Sequence, residues 1–180
     1  MTSLLNKNTS NRHQFRAEWH DYNYGVYFVT ICCRNRQHLL GQIVNERIIL
    51  SKIGDNTKQC LESIPEHHKN TEIWNYVIMP NHIHLIIYIK PEDNNIFNRD
   101  LNHGCLNHSK HDGKCLDFHH NSQLAKVIGS FKAAVSRSSG IKCWQSRFHD
   151  HFVRNRQSYN FIMDYIDNNI SNWDKDCFYK

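Results

Sequence analysis

The sequence predicts one globular domain that mixes strands and helices, and three observations carry this. A chain of 180 residues is about the size of one domain, so one hydrophobic core is expected. Runs rich in β-branched and aromatic residues, led by YFVTICC at 27–33, read as buried strands. Between them lie stretches whose apolar residues recur at helical spacing. With 39% hydrophobic and 12% aromatic residues there is material for a core, and 22% charged residues with 7 Gly and 3 Pro exclude a disordered or fibrous chain.

Residues 1–24 form a polar arm in which Lys7, Arg12 and Arg16 mix with Phe15, Trp19, Tyr22 and Tyr24. After the 27–33 strand, Ile43, Val44 and Ile48 to Leu50 suggest a short hairpin. Ser51 can cap a helix with Ile53, Cys60, Leu61 and Ile64 at helical spacing, and Pro65 is expected to stop it. The segment EIWNYVIMPNHIHLIIYIK at 72–90 reads as two strands meeting at Pro80 and Asn81. Residues 91–121 lose apolar periodicity and read as an inserted flexible loop. Ser122 then starts a helix with Leu124, Val127, Ile128, Phe131, Ala134 and Val135 on one face and Lys126, Lys132 and Arg137 toward solvent. A strand over 147–153 and a helix over 156–169 complete the chain.

The net charge of +5, from 22 Lys+Arg against 17 Asp+Glu, favours a polyanionic partner without demanding one. The seven cysteines are scattered without paired close spacing, which argues for reduced thiols over a disulfide framework. The longest uninterrupted apolar stretch, Leu85 to Ile89, falls far short of the roughly 20 residues that cross a bilayer. The start MTSLLNKNTSNR lacks a secretory apolar region, so a cytoplasmic location is expected.

The chemistry concentrates on the second strand of the 72–90 pair. Alternation turns Ile83, Leu85, Ile87 and Ile89 one way and His82, His84, Ile86 and Tyr88 the other. A buried Ile83 between two neighbouring imidazoles makes a rigid half-site for a divalent metal. Neutral imidazole is the ligand, so activity is expected to fall below about pH 6.5. A second copy, His149, Asp150 and His151, ranks behind the first because its central carboxylate would not anchor in a core. On the final helix, at about 100° per residue, Tyr165 and Asn169 fall about 40° apart at the edge of the stripe of Ile162, Met163, Ile166 and Ile170. Tyr159 falls at the stripe's centre and reads as a packed tyrosine. A phenol is a weak nucleophile at its free pKa near 10, but a metal acting on a phosphodiester makes its attack feasible.

The segments DYNYGVYFVTICCRNR (21–36), YVIMPNHIHLII (76–87), SFKAAVSR (130–137), WQSRFHDHFVRN (144–155) and YIDNNISNW (165–173) occur in the order of the motifs of single-tyrosine HUH transposases. They most resemble the REP-associated tyrosine transposases. The resemblance covers most of 12–173, excludes the 91–121 loop, and implies a single HUH domain over 1–180. It implies an α+β ferredoxin-like, two-layer fold with a central antiparallel sheet. It also implies Tyr165 as nucleophile and His82, His84 and Asn169 as ligands of Mg²⁺ or Mn²⁺. The implied activity is cleavage of single-stranded DNA near a hairpin through a 5′-phosphotyrosine, followed by strand transfer. The family's Asn-Asn-Pro ending reads Asn-Asn-Ile here, at Ile170, so the final helix is free to extend or tilt.

Arg12, Arg16, Arg34, Arg36, Lys126, Lys132, Arg137, Arg147 and Arg154 are candidate DNA contacts, with Trp19 and Trp144 as stacking platforms. Whether the active unit is a monomer or a homodimer stays open. Two other classes compete: a hairpin DNA- or RNA-binding protein that no longer cleaves, and a zinc-binding interaction protein. The second would use His103, Cys105, His108, His111, Cys115, His119 and His120 of the loop, although only Cys115 with His119 or His120 approaches zinc spacing.

Overall fold

The computed structural model describes residues 22–91 and 122–179. Strand β1 (Gly25–Cys32) leads through a 3-10 turn at Arg34–Arg36 into a hairpin of β2 (Gly41–Val44) and β3 (Arg47–Leu50). Helices α1 (Lys52–Glu62) and α2 (Ile64–His67), strands β4 (Thr71–Ile78) and β5 (His82–Ile89), helix α3 (Gln123–Ser139), strand β6 (His149–Phe152) and helix α4 (Arg156–Asp167) follow.

Four strands make one sheet in the order β4-β5-β1-β6, and each neighbouring pair is antiparallel. With α1 crossing from β1 to β4 and α3 from β5 to β6, this is the β-α-β-β-α-β arrangement of ferredoxin-like domains. The α+β fold expected from the sequence is the fold observed.

Local chemistry explains most boundaries. Ser51 Oγ accepts from Gly54 N at 3.1 Å, Ser122 Oγ from Ala125 N at 3.3 Å and Asn155 Oδ1 from Ser158 N at 2.8 Å, so α1, α3 and α4 each start on a side-chain cap. The β2–β3 turn places Asn45 and Glu46 at φ 50° and 57°, the left-handed pair that matches strand twist in a two-residue hairpin. Pro65 does not end α1, which stops at Glu62. It sits in the first turn of α2, where a missing N–H costs nothing. Helix α4 also ends early, at Asp167 with Asn168 as cap, so the substitution of Ile170 for proline does not lengthen it.

The expected single core is two clusters, because alternation along a central strand feeds both faces. Tyr27, Val29 and Ile31 of β1 and Ile83, Leu85, Ile87 and Ile89 of β5 pack with Leu61 of α1 and Leu124, Val127, Ile128, Phe131 and Val135 of α3. On the other face Val77 and Ile86 meet Ile162 and Ile166 of α4, with Val26 and Phe28 half-buried against them. His82 and His84 open from this second face. Among the described residues no helix is long and apolar enough to cross a membrane.

Candidate active site

β5 is flanked on both sides, so its side chains are fixed by two neighbours. His82 pairs with Cys32, and His84 pairs with Thr30 on one side and Val77 on the other. Ile83 is fully buried on the opposite face and locks the directions of both imidazoles. His82 and His84 are 0% and 2% exposed, and their Nε2 atoms lie 3.0 Å apart.

The outer ring nitrogens are each anchored. His82 Nδ1 lies 2.8 Å from Asn81 Oδ1, and Asn81 Nδ2 donates to Phe178 O at 2.9 Å and Arg36 O at 3.4 Å. The amide is therefore oriented with its carbonyl toward the ring, so His82 Nδ1 carries the proton and Nε2 a lone pair. His84 Nδ1 faces Thr30 Oγ1 at 2.8 Å. A hydroxyl both donates and accepts, so Thr30 serves either tautomer of His84. It donates when His84 Nε2–H points at His82, and accepts when both Nε2 lone pairs face a common cation. Fixing the remote nitrogen of a ligating imidazole in this way is what orients metal sites.

The chain's end completes the cluster. Asp176 Oδ2 lies 3.9 Å from His82 Nε2, accepts from Tyr165 Oη at 3.3 Å and accepts from Asn169 Nδ2 at 3.3 Å. Tyr165 Oη is 3.2 Å from His84 Nε2. Around them Phe178 packs on His82 with centroids 4.6 Å apart, and the Arg36 guanidinium lies 4.7 Å over the Phe178 ring. Arg36 also donates to Cys177 O at 3.2 Å, from a backbone held at the left-handed φ of 54°, a strained conformation of the kind that surrounding contacts must hold in place.

Burial sets the electrostatics. It pushes His82 down to about 3, with Arg36 adding to the effect, and His84 down to about 3, with His82 adding and Asp176 opposing. The His82–Asp176 approach is therefore not an ion pair at neutral pH, because the imidazole is uncharged. It follows that loss of activity below about pH 6.5 through protonation of these ligands is no longer expected, since water that would solvate an imidazolium is excluded. Burial, then the Asp176 charge, pushes the Tyr165 phenol up to about 12, while the Asn169 amide pulls the other way.

The donor set fits a divalent cation. Ligand atoms of His82, His84 and Asp176 lie within 4.8 Å of one another, and among the described residues this is the one group of three or more His, Cys, Asp or Glu so arranged. Asn169, 3% exposed, has a buried Oδ1 with no hydrogen-bond partner, an acceptor waiting for a positive group. Imidazoles suit softer divalent metals and carboxylate or amide oxygens harder ones, so the set is competent for a divalent cation without selecting which.

The structure thus brings His82, His84, Tyr165 and Asn169 together, although Asn169 lies just past the helix, reached through a turn in which its N–H bonds Ile166 O at 3.2 Å. Sequence reasoning missed three residues. Asn81 had a signal, being the neighbour of His82 in NHIH, and Thr30 is legible only once β1 is registered against β5. Asp176 had no signal, because an acidic residue in a polar terminus has no periodicity. The second pair, His149 and His151, is exposed on β6, and Tyr159 is half-buried in the second cluster.

The basic candidates separate. Arg12, Arg16 and Trp19, and the histidine- and cysteine-rich loop, lie outside the described residues. Arg36 borders the site, whereas Lys126 and Arg137 are on α3, across the sheet from it. Lys132 is not free toward solvent: it is half-buried and its Nζ donates to Gln145 O at 2.7 Å and Ser146 O at 2.9 Å. Trp144 is 8% exposed, too buried to be a stacking platform. Arg34, Arg147 and Arg154 are exposed.

Fold and site together define a ferredoxin-like domain with a metal-competent histidine pair facing a helix-borne tyrosine. No family model matches the chain. A protein of Haemophilus influenzae, described as uncharacterized, is 32% identical over a 185-residue alignment covering 99% of each chain, and this chain belongs to the same family. A solved REP-associated tyrosine transposase bound to a REP hairpin superposes with a TM-score of 0.57 at 21% identity, over 89% of this chain and 74% of that one. At that identity the likeness establishes a common fold.

Proposed function

We propose that this chain is a metal-dependent single-stranded DNA endonuclease and strand transferase of the single-tyrosine HUH type, acting beside DNA hairpins. The observation that carries the reading is the convergence of Tyr165 Oη on His84 Nε2 at 3.2 Å and Asp176 Oδ2 at 3.3 Å. A nucleophile that is 38% exposed, its proton acceptor and a buried histidine pair meet at one place. The sequence motifs and the fold shared with a hairpin-bound tyrosine transposase support the same reading.

Mg²⁺ or Mn²⁺ held by His82, His84 and Asn169 would supply positive charge to a scissile phosphate, leaving Asp176 Oδ2 to face Tyr165. The residues do the rest. Asn81 and Thr30 keep both Nε2 lone pairs aimed inward. Tyr165 Oη bonds to phosphorus as the P–O3′ bond breaks, its proton passing to Asp176 Oδ2 and the departing oxygen taking one from solvent. A 5′-phosphotyrosine and a free 3′-OH result, and attack by that hydroxyl, or by one from another strand, reverses the step and joins DNA without a nucleotide cofactor.

The test is cleavage with Mn²⁺ of labelled hairpins carrying a single-stranded flank, compared with the same flank fully paired. Cleavage confined to the unpaired flank, lost in His82→Ala/His84→Ala, is expected. Equal cleavage of both substrates would contradict single-strand specificity, and hairpin binding without cleavage in any metal would favour a DNA-binding module.

A further inference from the structure

Strand β6 carries a second histidine pair that the proposed metal site leaves unused. Register locates it. Thr30 pairs with His84 on one side and His149 on the other, and Phe28 pairs with Ile86 and His151. Directly opposed residues share a face of the sheet, so His149 and His151 rise from the same face as His84, about 10 Å away across two strand spacings. Both are exposed, and among the described residues neither side chain makes a hydrogen bond or ion pair. Between them and the nucleophile lies Phe28, half-buried, stacked on His84 at 5.2 Å and edge-on to Tyr165 at 6.0 Å between centroids.

Among the described residues no third His, Cys, Asp or Glu joins the pair to make a metal-ligand set. We propose that His149, His151 and Phe28 form a subsite for the single-stranded DNA nucleotides next to the scissile phosphate. This rests on the nuclease reading above. Phe28 offers an apolar floor for a base. The two residues are spaced about 6.7 Å along the strand, and their imidazoles offer ring N–H donors and stacking faces to phosphate and base. Exposed Arg147 and Arg154 flank the strand and give it the sign a phosphate chain needs. The subsite borders Tyr165 through Phe28, whose ring meets the phenol edge-on.

The experiment uses the full chain with Mn²⁺, measuring affinity and cleavage for a labelled hairpin with a randomised single-stranded flank and for the bare hairpin. Wild-type protein is expected to prefer the flanked hairpin. His149→Ala/His151→Ala should weaken flanked binding by about tenfold and raise KM more than it lowers kcat, with bare-hairpin and Mn²⁺ affinity unchanged. His149→Gln/His151→Gln, which keeps N–H donors, should recover part of the loss. Wild-type indifference to the flank would overturn the nuclease reading and the subsite with it. A wild-type preference that persists undiminished in His149→Ala/His151→Ala would overturn the subsite alone.

Discussion

Asn81 ties His82 to the end of the chain: its Oδ1 lies 2.8 Å from His82 Nδ1 while its Nδ2 donates to Phe178 O at 2.9 Å. Asn81→Ala frees His82 to change tautomer, and we expect Mn²⁺ affinity to fall about 10- to 100-fold. Stability should drop by about 1–3 kcal/mol, because two carbonyls lose a buried donor. Calorimetric Mn²⁺ titration with a thermal melt checks both. An unchanged affinity would remove Asn81 from the orienting role.

Thr30 tests the other anchor. Thr30→Val keeps the shape at a buried position but cannot accept from His84 Nδ1 in the metal-binding tautomer. Weaker Mn²⁺ binding is expected in Thr30→Val and near-normal binding in Thr30→Ser. Equal titrations for the two variants would show that the hydroxyl is unimportant.

The buried pair also predicts acid sensitivity of the fold. Both imidazoles are pushed down from 6.5 to about 3 in the folded chain. Above pH 6.5 folded and unfolded forms are equally deprotonated and these groups contribute no slope. Between 6.5 and about 3 the unfolded chain binds protons that the folded one refuses, so stability falls with pH by up to about 1.4 kcal/mol per unit for each imidazole. Denaturation midpoints in metal-free buffer between pH 7 and 5 should show this slope, and His82→Gln/His84→Gln should flatten it.

Residues 93–119 should be replaceable by a short Gly-Ser linker with folding and cutting kept. The flanking segments meet at one residue: Lys90 N donates to Asn70 O at 2.7 Å and Gln123 Nε2 to Asn70 Oδ1 at 3.4 Å. Ends this close make closure entropically inexpensive. Insoluble protein on deletion would instead support a structural zinc or a packed subdomain in the loop.

The elements were legible where one physical signal acted alone. Alternation in HIHLIIYI fixed both the strand and the shared face of His82 and His84, and Ser51 and Ser122 marked helix starts by their cap chemistry. Legibility failed where partners are distant in sequence. Asp176 and Phe178 reach the site only because the chain turns back after Trp173–Lys175, and Thr30 serves His84 across a strand register that no local pattern encodes. Lys132 looked solvated because helical periodicity shows which face is apolar, and not that two carbonyls at 145 and 146 sit within its reach.

The most direct measurement is the site of covalent attachment. The chain is incubated with Mn²⁺ and a labelled hairpin with a single-stranded flank, and the trapped adduct is digested and mapped by mass spectrometry. We expect a DNA phosphate on Tyr165, no adduct in Tyr165→Phe with hairpin binding kept, and a normal adduct in Tyr159→Phe. A DNA adduct on another residue, or undiminished cleavage by Tyr165→Phe, would contradict the assignment of Tyr165 as the nucleophile.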